Sequence, residues 1–222
     1  MGNRPIYLGV YTNKLLLSMK TKEKIIRESL RLFNEDTFEL STTSLIAKNS
    51  DILEGSLWYH FNSKSDIVSV HLKKFTNLYN EQKKLTTNDN PTIFIQGLFA
   101  IYGVIWDYRY LFRDSFEKIL ENNLNLSSQL ININSSVDKW VKEFVMHAQS
   151  IGIIFIDDAD IENIVEISLI IGRCWFDFSK KRYPDKSNLF LKKKGINLLI
   201  KSFYPYLTEE SKELIDSIYE SN

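Results

Sequence analysis

At 222 residues the chain has room for one large domain or two small ones, and its 44% hydrophobic and 13% aromatic content excludes an intrinsically disordered protein. Its 28 basic and 28 acidic residues balance, so the net charge points to no nucleic-acid or membrane partner, and any DNA-binding surface must arise from local arrangement. Cys174 is the only cysteine, which excludes an internal disulfide and suits a reducing, cytoplasmic environment.

The first 18 residues do not have the pattern of a targeting segment. Their apolar cluster, Leu15 to Leu17, is too short for the core of a signal peptide, Lys14 interrupts the stretch, and no small-residue cleavage site follows. We interpret residues 1–18 as a flexible leader. Elsewhere no apolar run approaches the ~18 residues that a bilayer span requires, so we expect no membrane partner.

The first regular pattern begins at Thr21. Ile26, Leu30 and Phe33 recur at helical spacing and predict an amphipathic helix, which ends in the polar segment 34–40. Three further helices are expected at about 42–49, 54–61 and 64–85. Ser41 or Thr42 is the predicted N-cap of the second helix, and the four residues 50–53 are interpreted as a tight turn.

Three short helices, of which the second and third are joined by a four-residue turn, indicate a helix-turn-helix. We therefore predict an all-α fold with a three-helix DNA-binding head at residues 19–66. The electrostatic signal of this head is weak, because residues 19–75 hold nine basic and eight acidic side chains, a net charge of +1.

The remainder of the chain, residues 67–222, is predicted to be a helical-bundle domain for ligand binding and dimerisation. The polar run from Thr86 to Pro91 is interpreted as a linker. The run from Ile151 to Ile156 has the composition of a strand, but with no partner strand in the chain we interpret it as a buried helix end or a connector. Helices are expected at about 92–109, 110–122, 127–150, 159–183, 189–204 and 209–220.

Between residues 42 and 67 the sequence carries a set of motif residues with unbroken spacing. They are Thr42, Ile46, Ala47, Ile52, Gly55, Leu57, His60, Phe61, Ser63, Lys64 and Ile67. This stretch resembles the DNA-binding head of the TetR family of transcriptional regulators, and with the preceding helix the resemblance covers about 45 residues.

The resemblance implies a ligand-responsive transcriptional regulator, a repressor, that binds a pseudo-palindromic operator in double-stranded DNA as a homodimer. Tyr59 and His60 can donate hydrogen bonds to phosphate oxygens, and Lys64 begins a helix whose free N–H groups suit a phosphate. Gly55 lets the backbone lie close to the first helix or to DNA. The candidate DNA-contacting residues are Thr42, Thr43, Glu54, Gly55, Ser56, Trp58, Tyr59, His60 and Lys64.

The sequence departs from the family pattern at four positions. Asp51 stands where the family has glycine in the turn, Leu53 where it has a serine or threonine cap, and Trp58 where tyrosine is commonest. Glu54 opens the recognition helix with a charge that phosphate repels, although a carboxylate can accept a hydrogen bond from a cytosine amino group. A solvated helix cap is the alternative for Glu54, and packing is the alternative for Trp58. A helical small-molecule-binding or scaffold protein with a degenerate head is the alternative function.

Two C-terminal segments, Trp106–Asp114 and Trp175–Glu210, more loosely resemble one TetR subgroup. That resemblance implies a four-helix dimer interface made by the helices at about 159–183 and 189–204. An apolar stripe at helical spacing fits this interface, or equally the protomer's own core. The stripe consists of Ile164, Ile167, Ile171, Trp175 and Phe178.

An aromatic-lined cavity between bundle helices is a usual site for an apolar or aromatic small-molecule effector. The candidate pocket residues, for which simple core packing is the alternative, are Phe99, Tyr102, Trp106, Phe116, Trp140, Phe144, His147 and Cys174. The sequence has no glycine-rich phosphate loop, Cys/His cluster or paired-carboxylate motif, so we expect no enzyme activity, no cofactor and no metal.

Overall fold

The structure, a computed structural model, describes residues 7–113, 116 and 123–221. This part of the chain holds nine α-helices and no strand, which confirms the all-α fold that the sequence predicts. The helices are α1 (Tyr7–Glu35), α2 (Thr43–Asn49), α3 (Glu54–His60), α4 (Lys64–Lys83), α5 (Pro91–Asp107), α6 (Leu124–Ser150), α7 (Asp158–Arg182), α8 (Asn188–Phe203) and α9 (Glu209–Ser221).

The chain divides into two compact units, and the division falls between Lys73 and Lys74. This point lies inside α4, whereas the sequence places the boundary between residues 66 and 67. An uninterrupted helix gives no change of composition at a domain boundary, so the sequence carries no signal there. The predicted leader, residues 1–18, overlaps α1 from Tyr7 onwards, and its residues 1–6 lie outside the described part.

The N-terminal unit folds around one apolar side chain or more from each of α1 to α4. Ile25, Phe33, Ile46, Leu57 and Ile67 are fully buried. Thr42 is the N-cap of α2, as the sequence allows, and its hydroxyl accepts a hydrogen bond from the Leu45 amide at 3.1 Å. Ser63 caps α4 in the same way, because its hydroxyl accepts from the Asp66 amide at 3.2 Å. These caps fix where the short helices begin.

The turn between α2 and α3 has a left-handed residue. Asp51 has φ = 56°, and the amides of Asp51 and Ile52 donate to the carbonyls of Lys48 and Ala47, each at 3.1 Å. This is the Schellman ending of a helix, in which the left-handed position favours glycine. Aspartate is among the few other residues that tolerate this conformation, which explains how the turn survives the departure from the family pattern.

In the C-terminal unit the central helix is α5. Asn90 caps it by accepting from the amides of Thr92 and Ile93, and Pro91 stands at its first position, where no donor is needed. Gly97 on α5 lies so close to Thr86 that a Cβ there would be 2.7 Å from the Thr86 methyl carbon. The segment from Thr86 to Pro91 is therefore not the open linker that its polar composition indicates. Thr86 is buried and accepts a hydrogen bond from Nε1 of Trp140 at 3.0 Å.

Two irregular segments complete this unit. Residues 109–112 form a 3-10 turn where the sequence predicts the start of an α-helix, and residues 114, 115 and 117–122 of that predicted helix lie outside the described part. Residues 151–156 form a connector, as interpreted, which also makes an isolated antiparallel bridge between Ile154 and Leu207. No described helix is both long enough and apolar enough to span a bilayer.

Candidate nucleic-acid interface and ligand cavity

The recognition helix α3 divides its side chains between the core and solvent. Leu57 is fully buried and Phe61, at the helix end, is nearly so, which fixes the helix in the unit. Gly55, Ser56 and Tyr59 lie on the exposed surface, with Tyr59 78% accessible. Trp58 is 44% accessible, so packing accounts for only part of its surface. The helix thus presents a polar and aromatic face to solvent.

A side-chain hydrogen bond connects the first residue of α2 to the first residue of α3. Oγ1 of Thr43 donates to Oε1 of Glu54 at 2.6 Å, and both residues are partly buried. Leu53, the N-cap of α3, makes no side-chain capping bond and is 81% accessible. Glu54 is the first residue of α3, where the helix dipole favours a negative charge.

Gly55 has no steric role among the residues that the structure describes. A Cβ at this position would meet no atom within 4 Å, so close packing against α1, which the sequence suggests as one reason for this glycine, does not account for it. The open space beside Gly55 instead leaves the backbone of α3 accessible to a large external partner.

The side chain of Lys64 makes contacts within the head that the sequence pattern does not predict. Its ammonium donates to the Phe38 carbonyl and lies 4.0 Å from the centre of the Phe38 ring. Burial lowers the pKa of Lys64, an effect that nearby Glu39 partly opposes. In this structure the lysine therefore ties the loop before α2 to the start of α4.

Lys22 of α1 is a further candidate DNA contact, which the sequence pattern does not reveal. It is exposed, its ammonium lies 5.3 Å from the centre of the Phe61 ring, and with burial it lowers the pKa of His60. The His60 and Tyr59 rings are themselves in edge contact, with centroids 5.3 Å apart. No sequence motif joins Lys22 to the region of α3, because the two approach each other only in the folded head.

The C-terminal unit contains an apolar cavity of about 70 Å³. Three of the predicted pocket residues, Tyr102, Trp140 and Phe144, line it, together with Phe112 and Phe176. Two residues of α4 pack behind this wall. The Phe75 ring lies 5.3 Å from that of Phe112, and the Tyr79 ring lies 6.4 Å from that of Trp140.

The other predicted pocket residues lie elsewhere in the unit. Trp106 packs beside the cavity wall, 5.9 Å from the Phe176 ring, and Phe116 packs 4.9 Å from the Tyr110 ring. His147 lies 3.5 Å from the Asp89 carboxylate, and Cys174 is exposed on α7. Phe99 lines a separate groove between α5, α8 and α9.

The predicted apolar stripe of α7 also divides into two sets. Ile164 and Trp175 are buried in the protomer, where Nε1 of Trp175 donates to the Leu191 carbonyl at 2.9 Å. Ile167 and Phe178 are exposed, and Ile171 is half-buried. The residues from 164 to 178 lie on more than one face of the helix. The predicted stripe therefore includes both core residues and exposed residues. Exposed apolar residues that share the surface of α7 and α8 are Ile167, Ile170, Phe178, Leu189, Phe190 and Leu198.

Comparison with known proteins identifies the family to which this architecture belongs. A model described as "Bacterial regulatory proteins, tetR family" matches residues 25–69, and a TetR model described as "Bacterial transcriptional repressor" matches residues 71–215. The chain belongs to the TetR family. It is therefore a DNA-binding transcriptional repressor and not an enzyme, and its family implies a DNA operator and a small-molecule effector.

Curated relatives extend the match beyond the head. The chain is 25% identical over 195 residues to the biofilm operon icaADBC negative transcriptional regulator IcaR of Staphylococcus epidermidis, and 24% identical over 196 residues to IcaR of Staphylococcus aureus strain Newman. Each match covers 78% of this chain and all of the relative.

Solved structures of TetR-family proteins share the fold. A regulator from Marinobacter aquaeolei VT8 aligns with a TM-score of 0.68 at 24% identity, covering 90% of this chain and 97% of its own. The ketosteroid regulator KstR2 of Mycobacterium tuberculosis aligns with a TM-score of 0.60 at 20% identity, covering 85% and 95%.

Proposed function

We propose that this TetR-family protein binds a pseudo-palindromic operator in double-stranded DNA as a homodimer, with α3 of each protomer in the major groove. The observation that carries the proposal is the division of α3, which packs Leu57 against the unit and leaves Gly55, Ser56 and Tyr59 open to a partner. A homodimer of such heads reads two half-sites about one helical turn apart, ~34–36 Å. An operator-binding protein acts on the chromosome, so we place it in the bacterial cytoplasm.

The exposed face of the helix-turn-helix provides both classes of DNA contact. Tyr59 and Lys22 donate to phosphate oxygens and position the head, while Ser56 and Glu54 reach base edges. A carboxylate at Glu54 accepts from the amino group of cytosine and is repelled by phosphate. Its hydrogen bond to Thr43 holds the carboxylate in one place, which supports a role in reading bases. Trp58 and His60 lie at the edges of this face, and Thr42 is the N-cap of α2.

The second protomer covers the exposed apolar residues of α7 and α8. Ile167, Ile170 and Phe178 follow one face of α7, and Phe190 and Leu198 lie on α8. Exposed large apolar side chains on two adjacent helices are unfavourable in water and typical of a homodimer interface. The packing of α7 against α8, in which Trp175 donates to the Leu191 carbonyl, supports a rigid two-helix face.

The effector of this repressor is an apolar or aromatic small molecule that enters the cavity of the C-terminal unit. The cavity is much smaller than the ~300–1,000 Å³ of a usual ligand pocket, so an effector must displace its wall. Phe112 and Trp140 belong to that wall and contact Phe75 and Tyr79 of α4. Since α4 is one continuous helix to Lys64, displacement of the wall moves the helix that enters the head. Coupling of this kind is typically worth ~1–3 kcal/mol.

A gel-shift assay over fragments of the region upstream of the protein's own gene tests the DNA proposal. We expect one fragment to shift, and Tyr59→Phe with Ser56→Ala to weaken the complex by about tenfold, roughly 1.4 kcal/mol. Tyr206→Phe, in the C-terminal unit, is the matched control and should leave the shift unchanged. Equal affinity of the wild-type protein and the double variant for that fragment would contradict the proposal.

A helical ligand-binding protein with a degenerate head is the second candidate. Two features favour it. Leu53, the N-cap of α3, is exposed and makes no side-chain capping hydrogen bond, and the first residue of α3 is an acid. It predicts no shift of any upstream fragment at low salt, combined with an intact ligand cavity. The same assay therefore separates the two functions.

A further inference from the structure

The C-terminal unit also has an open groove between α5, α8 and α9. Its volume is about 520 Å³, within the ~300–1,000 Å³ range of small-molecule sites and far above that of the apolar cavity. Residues of opposite chemical character meet in it. Lys192 and Lys193 come from α8, while Phe99 of α5 and Tyr219 of α9 provide aromatic surface.

The charge of the groove is positive among the described residues. The Lys192 ammonium is 3.4 Å from the carboxylate of Asp107, which is itself largely exposed. The side chain of Lys193 has no ion pair in the described part of the chain. Gly103 of α5 faces Lys192, since a Cβ on this glycine would be in ordinary contact with the ammonium at 3.5 Å. Two cations and one anion therefore border the groove, and an added anion would balance them.

The side chain of Tyr102 lines the groove, and its hydroxyl is buried. Tyr102 is 7% accessible, and its hydroxyl has no hydrogen-bond partner among the described residues. Burial raises the pKa of Tyr102 far above its usual value, so the phenol keeps its proton and remains a donor. This hydroxyl lies against Gly195 of α8, because a Cβ on that glycine would be 2.0 Å from it, so a ligand in the groove contacts the ring of Tyr102 and not its hydroxyl.

The remaining wall is apolar and held in place. The rings of Phe99 and Tyr219 have centroids 6.4 Å apart, and the Tyr219 hydroxyl donates to the Lys193 carbonyl at 3.3 Å. This bond fixes the end of α9 against α8 beside the lysines. Ile196, which is buried, forms the base between them. A ligand that fits has an anionic end near the lysines and an apolar body against the rings.

We propose that this groove is a binding site for a small organic carboxylate with an aromatic or aliphatic body, separate from the apolar cavity. The apolar cavity is a poor site for a carboxylate, because its volume is only about 70 Å³ and the guanidinium of Arg173, which borders it, is already paired with Asp138. The groove offers ammonium groups and ring surface together. The proposal concerns binding by the C-terminal unit and does not depend on whether the head binds DNA.

Isothermal titration of the full-length protein without DNA tests the proposal directly. The probes are indole-3-acetate, benzoate and octanoate, each compared with its neutral amide. We expect at least one carboxylate to bind at least about tenfold more tightly than its amide, a difference of roughly 1.4 kcal/mol in binding free energy. Lys193→Met should remove most of this preference, while Lys201→Met on the same helix, outside the groove, should preserve it.

Two further measurements keep the test decisive. Circular dichroism on each variant establishes that the fold is retained, and Phe99→Leu should weaken the carboxylate and the amide alike, since the ring contacts the body of both. The proposal is overturned if no carboxylate binds at millimolar concentration. It is also overturned if acid and amide bind equally, or if Lys193→Met and Lys201→Met have the same effect.

Discussion

The hydroxyl of Thr43 donates a hydrogen bond to Oε1 of Glu54 at 2.6 Å, and this bond joins the first residue of α2 to the first residue of α3. Both are candidate DNA contacts, and each restricts the other. With its hydroxyl hydrogen donated to Glu54, Thr43 can offer a phosphate only its backbone amide. Glu54 in turn keeps a fixed carboxylate at the DNA-facing end of the recognition helix. In the proposed complex with DNA, the pair would combine a weakened phosphate contact with a positioned base acceptor.

Replacement of the Glu54 carboxylate should raise the overall affinity for DNA and lower the specificity for the operator. Glu54→Gln removes a charge that phosphate repels, so we expect tighter binding to a scrambled duplex. We also expect a loss of about 1–3 kcal/mol in discrimination at the base that Glu54 contacts. Fluorescence anisotropy with operator and scrambled duplexes at several salt concentrations measures both effects. Glu23→Gln, an exposed acid on α1, is the control. An equal change in affinity for the two duplexes would show that Glu54 reads no base.

Lys64 should stabilise the head. Lys64→Met removes a charge-assisted hydrogen bond to the Phe38 carbonyl and a contact with the Phe38 ring, so we expect the free energy of unfolding to fall by about 1–3 kcal/mol. Thermal unfolding without DNA measures this, with Lys48→Met, an exposed lysine of α2, as the control. Unchanged stability together with weaker DNA binding would instead identify the ammonium as a phosphate contact.

The left-handed turn residue gives a prediction that depends on backbone geometry. Asp51 has φ = 56°, and its carboxylate makes only an exposed ion pair with Lys24 at 3.5 Å. We expect the Asp51→Gly protein to be more stable than the Asp51→Ala protein by about 1 kcal/mol, because alanine is disfavoured in this conformation. Chemical denaturation of both variants measures the difference. Equal stabilities would mean that the turn adopts another conformation in solution.

Tyr79 should contribute to the alkaline stability limit of the C-terminal unit. Burial raises the pKa of Tyr79 from 10 to about 12, despite its hydrogen bond to the Ser136 carbonyl at 3.1 Å. The unfolded chain loses this proton near pH 10 and the folded chain near pH 12, so the stability that Tyr79 provides is present below pH 10 and declines up to pH 12.

Unfolding by denaturant at several pH values checks this sign. Tyr79→Phe should lower the stability at neutral pH, since it loses a hydrogen bond, and should flatten the decline above pH 10. Tyr59→Phe, at an exposed tyrosine, should leave the slope unchanged. A Tyr79→Phe protein with the same alkaline slope as the wild type would contradict the assignment.

The head could be predicted from the sequence because its signals are local. The N-cap at Thr42, the break at Ser63 and the period of the apolar residues each act within one or two turns of helix. The ends of α2 and α3 consequently lie within a residue of their predicted places. The contacts of Lys64 and Lys22 could not be predicted from the sequence. Each lysine contacts an aromatic ring that is distant in the sequence, Phe38 for Lys64 and Phe61 for Lys22.

The C-terminal unit was predicted less completely because its signals are ambiguous. Aromatic residues at helical spacing do not reveal which face of a helix they occupy, so Trp175 was grouped with exposed Phe178. Thr86 looked like part of a linker, whereas its methyl group packs beside Gly97 and its hydroxyl accepts from Trp140. The groove near Tyr102 depends on the approach of three helices, which no sequence period records.

Hydroxyl-radical footprinting of the full-length protein on the upstream region of its own gene tests the central claim most directly. The account predicts two protected patches of equal size, related by a two-fold axis and centred about one helical turn, ~10–10.5 base pairs, or a whole number of turns apart. Both patches should disappear together when Tyr59 and Ser56 are replaced. Protection of a single patch, or uniform DNA cleavage at low salt, would contradict operator recognition by a pair of α3 helices.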